Sequence, residues 1–121
     1  MFSQHKFSGK HLIADIKEIQ NITLLNNIKD FKYFLDLICE KYNYKILSKC
    51  EHKFEPNGFT IVYLLSESHL SIHTFPECNY FAFDLYTCCE TENAIYDEIY
   101  FSFIEKFNAK GEYKIIDRNI I

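Results

Sequence analysis

Glycine and proline are scarce in this 121-residue chain, at three and two residues. So low a content argues against disorder and against a long flexible linker. No run of 18 apolar residues occurs, so the sequence offers no membrane-spanning helix. Basic residues are scattered among acids, and the formal net charge is −4. Nucleic acid and an anionic membrane surface are therefore poor partners. Residues 1–17 are interrupted by polar side chains every few positions and lack the apolar stretch of a secretory leader. The five cysteines (Cys39, Cys50, Cys78, Cys88 and Cys89) are odd in number and irregularly spaced, which argues against a disulfide framework. His52, His69 and His73 could be drawn with Cys78, Cys88 and Cys89 as zinc ligands, but no paired CxxC or helical HxxxH pattern supports a site, and no metal is expected. These absences together point to a soluble, cytoplasmic protein.

What is present is hydrophobic and aromatic. Apolar residues make up 48% and aromatic residues 17%, with twelve Phe and nine Tyr. The length suits one domain over residues 1–121 with a modest core. Such a surplus of rings suggests that some serve a binding site or a subunit interface. Residues 11–16 read as a strand. Residues 28–43 read as an amphipathic helix, because Phe31, Phe34, Leu35, Ile38 and Tyr42 recur at helical spacing. Asn26-Asn27 and Asn43 punctuate its ends. A short strand at 44–48 and a turn at 55–58 follow, with Gly58 free to take positive φ. Strand-like runs occupy 59–65, 70–75 and 80–87, the last with Phe81, Phe83 and Leu85 on one face. A second helix covers about 92–107 on a stripe of Ile95, Ile99, Phe103 and Phe107, and 113–116 gives a final strand. The order predicts an α+β two-layer sandwich: a mainly antiparallel sheet with two helices on one face. The other face then needs a cover, for which a second copy of the chain is the obvious candidate.

The densest polar cluster lies inside this hydrophobic framework, at Leu65-Ser66-Glu67-Ser68-His69-Leu70-Ser71-Ile72-His73-Thr74-Phe75-Pro76-Glu77. One or two serines in a strand or turn mean little, and a strand histidine can simply be solvated. Nucleophile, base and acid types at this density ask for chemistry. The run SESHLSIHTFPE closely resembles the self-processing site of the short, prokaryotic-type S-adenosylmethionine decarboxylases, which depend on a pyruvoyl group. GKHLIADI at 9–16, HKFEPNGFT at 52–60 and YFAFDLYTC at 80–88 resemble that family's opening strand, pre-cleavage segment and catalytic-cysteine strand, in the same order. The resemblance covers about residues 7–90.

The resemblance implies a sandwich of the S-adenosylmethionine decarboxylase type and a chain cut between Glu67 and Ser68, into 1–67 and 68–121. Ser68 Oγ attacks the Glu67 carbonyl carbon, and the resulting ester is a better leaving group than an amide. A base removes the α-proton of residue 68, elimination releases 1–67, and hydrolysis leaves pyruvoyl with loss of ammonia. The family assigns the base to the position of His73. Thr60 stands where a serine assists; it keeps the hydroxyl and adds a methyl that can slow processing. The pyruvoyl ketone captures the substrate amine as a Schiff base and takes up the charge left on Cα by decarboxylation, so pyridoxal phosphate is not required. Cys88 matches the acid that then protonates Cα; free thiols titrate near ~8.5, so a cysteine can carry that proton at neutral pH. Phe54 matches a ring that stacks on adenine, Glu77 an acid on the ribose hydroxyls, and Phe7 a second ring. Each of these could instead be an ordinary core or turn residue. No role is assigned to Cys89 or Asp84.

The implied activity is decarboxylation of S-adenosylmethionine to the aminopropyl donor for spermidine synthesis. Phe75, Cys78-Asn79 and Cys89 depart from the family pattern near the expected pocket, which leaves L-ornithine or L-arginine open as substrates. A non-catalytic regulatory paralogue is a further alternative, against which the retained Glu67, Ser68, His73 and Cys88 argue. The family's short chains pair so that both copies build each site, which implies a homodimer. In a regular strand a spacing of five places Ser68 and His73 on opposite faces. A bend, or movement after cleavage, is expected to bring them together.

Overall fold

The structure is a computed structural model that describes residues 7–88 and 91–120. Cys89 lies outside the described residues. The chain runs β1 (Phe7–Lys17), α1 (Ile22–Leu25), α2 (Ile28–Lys41), β2 (Ile46–Lys53), β3 (Phe59–Leu65), β4 (Ser68–Phe75), a 3₁₀ turn (Pro76–Cys78), β5 (Tyr80–Thr87), α3 (Asn93–Phe107) and β6 (Lys110–Asn119). Among the described residues six strands form one sheet, in the order β2-β3-β4-β5-β1-β6. Every neighbouring pair is antiparallel. The predicted α+β sandwich is the observed one, with α2 and α3 packed on one face.

Alternation explains which face is covered. Along β3, β4 and β5 every second residue is buried, from Phe59 to Leu65, Ser68 to Thr74 and Phe81 to Thr87. These meet Phe31, Leu35 and Ile38 of α2 and Ile99, Phe103 and Phe107 of α3. Much of the aromatic surplus is spent here: Phe31 lies 5.1 Å from Phe81 and 5.0 Å from Phe107, and Phe83 lies 4.6 Å from Phe103. Each ring contributes ~1.5–3 kcal/mol by leaving water. Asn27 caps α2, its side chain accepting the Asp30 N–H at 3.0 Å, and Asn43 ends the segment with a φ of 61°.

The sequence misplaced several boundaries, and for a common reason. The two edge strands are longer than predicted, β2 reaching Lys53 and β6 spanning ten residues. Both carry charges and are largely exposed, so they lack the alternation that marks a covered strand. β1 is likewise longer, and β4 begins at Ser68 rather than at 70. In α3 the buried stripe is Tyr96, Ile99, Tyr100, Phe103 and Phe107, while Ile95 is only half-buried. The polar tips of Tyr96 and Tyr100 hid them from a hydrophobicity pattern. Among the described residues no helix is long and apolar enough to cross a membrane.

Among the described residues no element covers the other face of the sheet. It displays Ile13, Val62, Leu64, Phe75 and Ile116, each more than a third exposed. His11, His52, His69 and His73 share this face.

Candidate active site

The β3–β4 hairpin is closed by two residues, Ser66 and Glu67, between the paired Leu65 and Ser68. Glu67 sits in the left-handed region with a φ of 61°. For a residue with a Cβ this conformation costs ~1–2 kcal/mol. The strain therefore lies on the residue whose carbonyl begins the predicted scissile bond. That carbonyl accepts the backbone N–H of Cys88 at 3.1 Å. Ser68 follows at once, 9% exposed, with its side chain turned toward the helix layer. An open cleft of about 560 Å³ lies at this end, lined by Glu67, Ser68, Tyr42, Lys45, Thr91 and Ile95 among others.

Cys88 has an exposed free thiol just beyond β5. Cys39, by contrast, is buried in α2, and burial pushes its thiol up to about 11, which makes it an inert core residue. The close approach of β1 fixes the Cys88 backbone. A Cβ on Gly9 would stand 2.0 Å from the Thr87 carbonyl oxygen and 3.1 Å from the Cys88 Cα, so only glycine fits. Phe7 starts β1 at this same end and is half-buried.

The remaining predicted residues gather elsewhere. Phe54, Thr60, His73 and Glu77 line one cleft of about 310 Å³ beside the β2–β3 turn. Thr60 and His73 are register partners across β3 and β4, and a 3.1 Å hydrogen bond joins Thr60 Oγ1 to His73 Nδ1. Phe54 is half exposed, its ring edge-on to His52 with centroids 4.7 Å apart. Gly58 does adopt positive φ, at 90°, and its carbonyl accepts the Phe54 N–H at 2.9 Å. Glu77 is exposed on the 3₁₀ turn, and Phe75 joins the same cleft. Below it, buried Thr74 accepts the Phe59 N–H at 2.8 Å and holds the start of β3.

The site residues thus fall into two groups. Glu67, Ser68, Cys88 and Phe7 lie at one end of the central strands; Phe54, Thr60, His73 and Glu77 lie toward the other. β4 does not bend between Ser68 and His73: its burial alternates without interruption. Five residues of strand separate the two by ~16 Å. The bend offered as one route to bring them together is absent from the uncut chain. Asp84, unassigned from sequence, pairs across the open face with His11 Nε2 at 3.1 Å.

The S-adenosylmethionine decarboxylase family model matches residues 10–119. The chain belongs to the S-adenosylmethionine decarboxylase family. The match runs past residue 90 through α3 and β6, further than the motifs alone reached. S-adenosylmethionine decarboxylase proenzyme 2 of Bacillus cereus is 41% identical over 83 residues, covering 69% of this chain and 67% of that protein. The S-adenosylmethionine decarboxylase proenzyme of Clostridium botulinum is 39% identical over 83 residues, covering 69% and 71%. The crystal structure of the adenosylmethionine decarboxylase from Aquifex aeolicus superposes with a TM-score of 0.81 at 28% identity, covering 96% of this chain and 94% of that one. The sandwich is an S-adenosylmethionine decarboxylase fold.

Proposed function

We propose that this chain is a self-processing decarboxylase of S-adenosylmethionine, in which Glu67–Ser68 is the bond cut and Ser68 becomes the pyruvoyl group. The product would be decarboxylated S-adenosylmethionine, the aminopropyl donor for spermidine synthesis. One observation supports a cut at this bond: the Glu67 carbonyl is held by the Cys88 N–H at the mouth of a cleft, with Ser68 as the next residue. A donor on a carbonyl oxygen draws charge from its carbon and steadies the oxyanion that forms on attack. The strained φ of Glu67 is released when the peptide bond is cut.

Residue 68 suits the group formed from it. It heads a strand whose partner residue is fully buried, beside a cleft that opens to solvent. A pyruvoyl ketone there supplies the electron sink for loss of CO2. This chain's own residues do the rest. Cys88, exposed at the same strand end, delivers the proton to Cα. His73 removes the α-proton of residue 68 during processing. For its Nε2 to accept that proton, Nδ1 must carry the hydrogen and donate it to Thr60 Oγ1, which orients the ring. Phe54 and Phe75 offer faces to a flat base, and Glu77 offers a carboxylate to hydroxyl groups.

The two groups of residues serve one site if they come from different copies. Within a protomer His73 lies on the face opposite Ser68 and ~16 Å along the strand. A second copy laid on the open face would cover its exposed apolar residues and bring Phe54, Thr60, His73 and Glu77 of one chain to Glu67–Ser68 and Cys88 of the other. A cytoplasmic setting accords with this chemistry, because a reduced Cys88 persists there.

Intact-mass measurement tests the reading. The expected products are 1–67 and 68–121, the second with an N-terminal pyruvoyl, while Ser68→Ala stays whole. Release of labelled CO2 is expected from S-adenosylmethionine and not from ornithine or arginine. An active preparation containing only uncut chain would sink the proposal.

A further inference from the structure

On its helix side Ser68 has a neighbour that the polar cluster did not reveal. The N–H of Cys88 bonds to the carbonyl of Glu67. In an antiparallel ladder, that bond brackets the residues between them, Ser68 and Thr87, as a non-hydrogen-bonded pair. Such pairs hold their Cα atoms ~4.5 Å apart with their side chains close together. Both side chains turn to the helix layer, where Thr87 is 0% exposed. A hydrogen bond of 2.5 Å joins Thr87 Oγ1 to the hydroxyl of Tyr96, from the start of α3, which is also 0% exposed. The same helix start is tied to the sheet from the other side. Lys10, the β1 partner of Thr87, donates its ammonium to Asn93 Oδ1 at 2.7 Å.

A valine and a phenylalanine would fill nearly the same space without taking two hydroxyls out of water, each of which costs ~1–3 kcal/mol if left unbonded. The hydroxyls are satisfied by each other, and one has capacity to spare. A hydroxyl has one donor and two acceptor sites, so Thr87 can donate to Tyr96 and still accept from a third group. Ser68 is the hydroxyl next to it.

We propose that Thr87 and Tyr96 are positioning residues for self-cleavage. Tyr96 fixes the Thr87 rotamer; Thr87 Oγ1 accepts the Ser68 O–H and turns Ser68 Oγ toward the Glu67 carbonyl carbon. In the step itself a bond forms from Ser68 Oγ to that carbon, and the C–N bond of the 67–68 peptide breaks. The hydroxyl proton ends on the freed nitrogen of residue 68. The pair is unchanged by the step, and its contribution is orientation. The inference rests on Ser68 being the cleavage nucleophile.

Full-length wild type, Thr87→Val, Thr87→Ser and Tyr96→Phe chains, refolded from denaturant, provide the test. Cleavage is followed by intact mass, with hydroxylamine added to parallel samples to split any ester at 67–68. Melting curves report the fold. Thr87→Val and Tyr96→Phe are expected to slow cleavage at least about tenfold, and Thr87→Ser to keep it within about threefold of wild type. Hydroxylamine should release no 1–67 from the slow variants, because their block precedes the ester. Wild-type rates in both hydroxyl deletions overturn the proposal. So does hydroxylamine-released 1–67, which would move the pair to the elimination step, and so does a folded Thr87→Ser chain that is not rescued. If Thr87→Val fails to fold, Tyr96→Phe, which keeps the ring, decides. A wild-type chain that is never cut rejects the Ser68 reading itself, whatever the variants do.

Discussion

Ser68 and His73 stand on opposite faces of one unbent strand, five residues apart. On the proposed reading the site takes one residue from each of two chains, and this makes a genetic test possible. Ser68→Ala alone and His73→Ala alone should each remain uncut. Co-expressed, they form mixed dimers with one wild-type site, built from the Ser68 of the His73→Ala chain and the His73 of the Ser68→Ala chain. The His73→Ala chain should then be cut and the other not, as read by intact mass. No cutting in the mixture would reject a shared site.

Cys88 holds the Glu67 carbonyl through its backbone N–H and has an exposed thiol, and on the proposed reading that thiol is the proton donor to the substrate. Cys88→Ala keeps the first and removes the second. The expected result is normal cleavage with turnover lowered by a factor of ~10²–10⁴, the usual contribution of a positioned acid. Full turnover in the cut Cys88→Ala enzyme would assign the proton to another group.

Gly9 sets the distance between β1 and the strand end that carries Cys88. Its replacement by alanine drives a methyl into the Thr87 carbonyl oxygen. Gly9→Ala should destabilise the fold by ~1–3 kcal/mol in urea unfolding and slow cleavage as well, because the Cys88 N–H is pushed out of line. Unchanged stability would mean that β1 can move aside freely.

Tyr63 isolates a purely structural interaction. Its ring is buried and its hydroxyl donates to Asp36 Oδ1 at 2.7 Å, while Lys49 donates to the other oxygen at 2.9 Å. Tyr63→Phe should cost ~1–2 kcal/mol of stability and leave cleavage untouched. A cleavage defect in a folded Tyr63→Phe chain would mean that strain at α2 reaches the hairpin.

Tyr80 and Tyr113 contribute to the alkaline limb of stability, alongside the other tyrosines that burial pushes up. Burial, and then the bond Tyr80 donates to Asp15, push its hydroxyl up to about 12. The bond Tyr113 donates to Asp97, and then burial, do the same there, also to about 12. Unfolded, both ionise near ~10. The folded state then holds these protons more tightly, so their contribution is whole below pH ~10 and is lost as pH rises toward 12. Urea midpoints measured from pH 9 to 12 should fall, and fall less in Tyr80→Phe and Tyr113→Phe. Equal slopes in all three proteins would exclude these groups as the cause.

The sequence disclosed most where one stretch of chain carries the signal. Ser68, His73, Cys88 and Glu77 were singled out by the resemblance of the motifs that hold them, and Phe81, Phe83 and Leu85 by alternation. It disclosed least where the signal is relational. Thr87 and Tyr96 are nine residues apart in the chain and meet only because β5 turns back under α3. That Thr60 bonds His73 depends on hairpin register. Asp84 looked misplaced in an apolar strand until His11 appeared across the neighbouring strand. Edge strands β2 and β6 were cut short because exposed strands have no buried face to pattern.

The sheet order has a consequence for how a chain cut at 67–68 would fold. Residues 1–67 supply β1, β2 and β3, and residues 68–121 supply β4, β5 and β6. Because β1 lies between β5 and β6, the fragments interleave and meet along three separate ladders. They cannot slide apart without dismantling the core. Once melted, such fragments would have to find each other again, so cutting at 67–68 would change the refolding of a protomer from first order to second order. The melting temperature should fall more steeply on dilution for the cut protein than for the precursor, because more separate chains must reassociate.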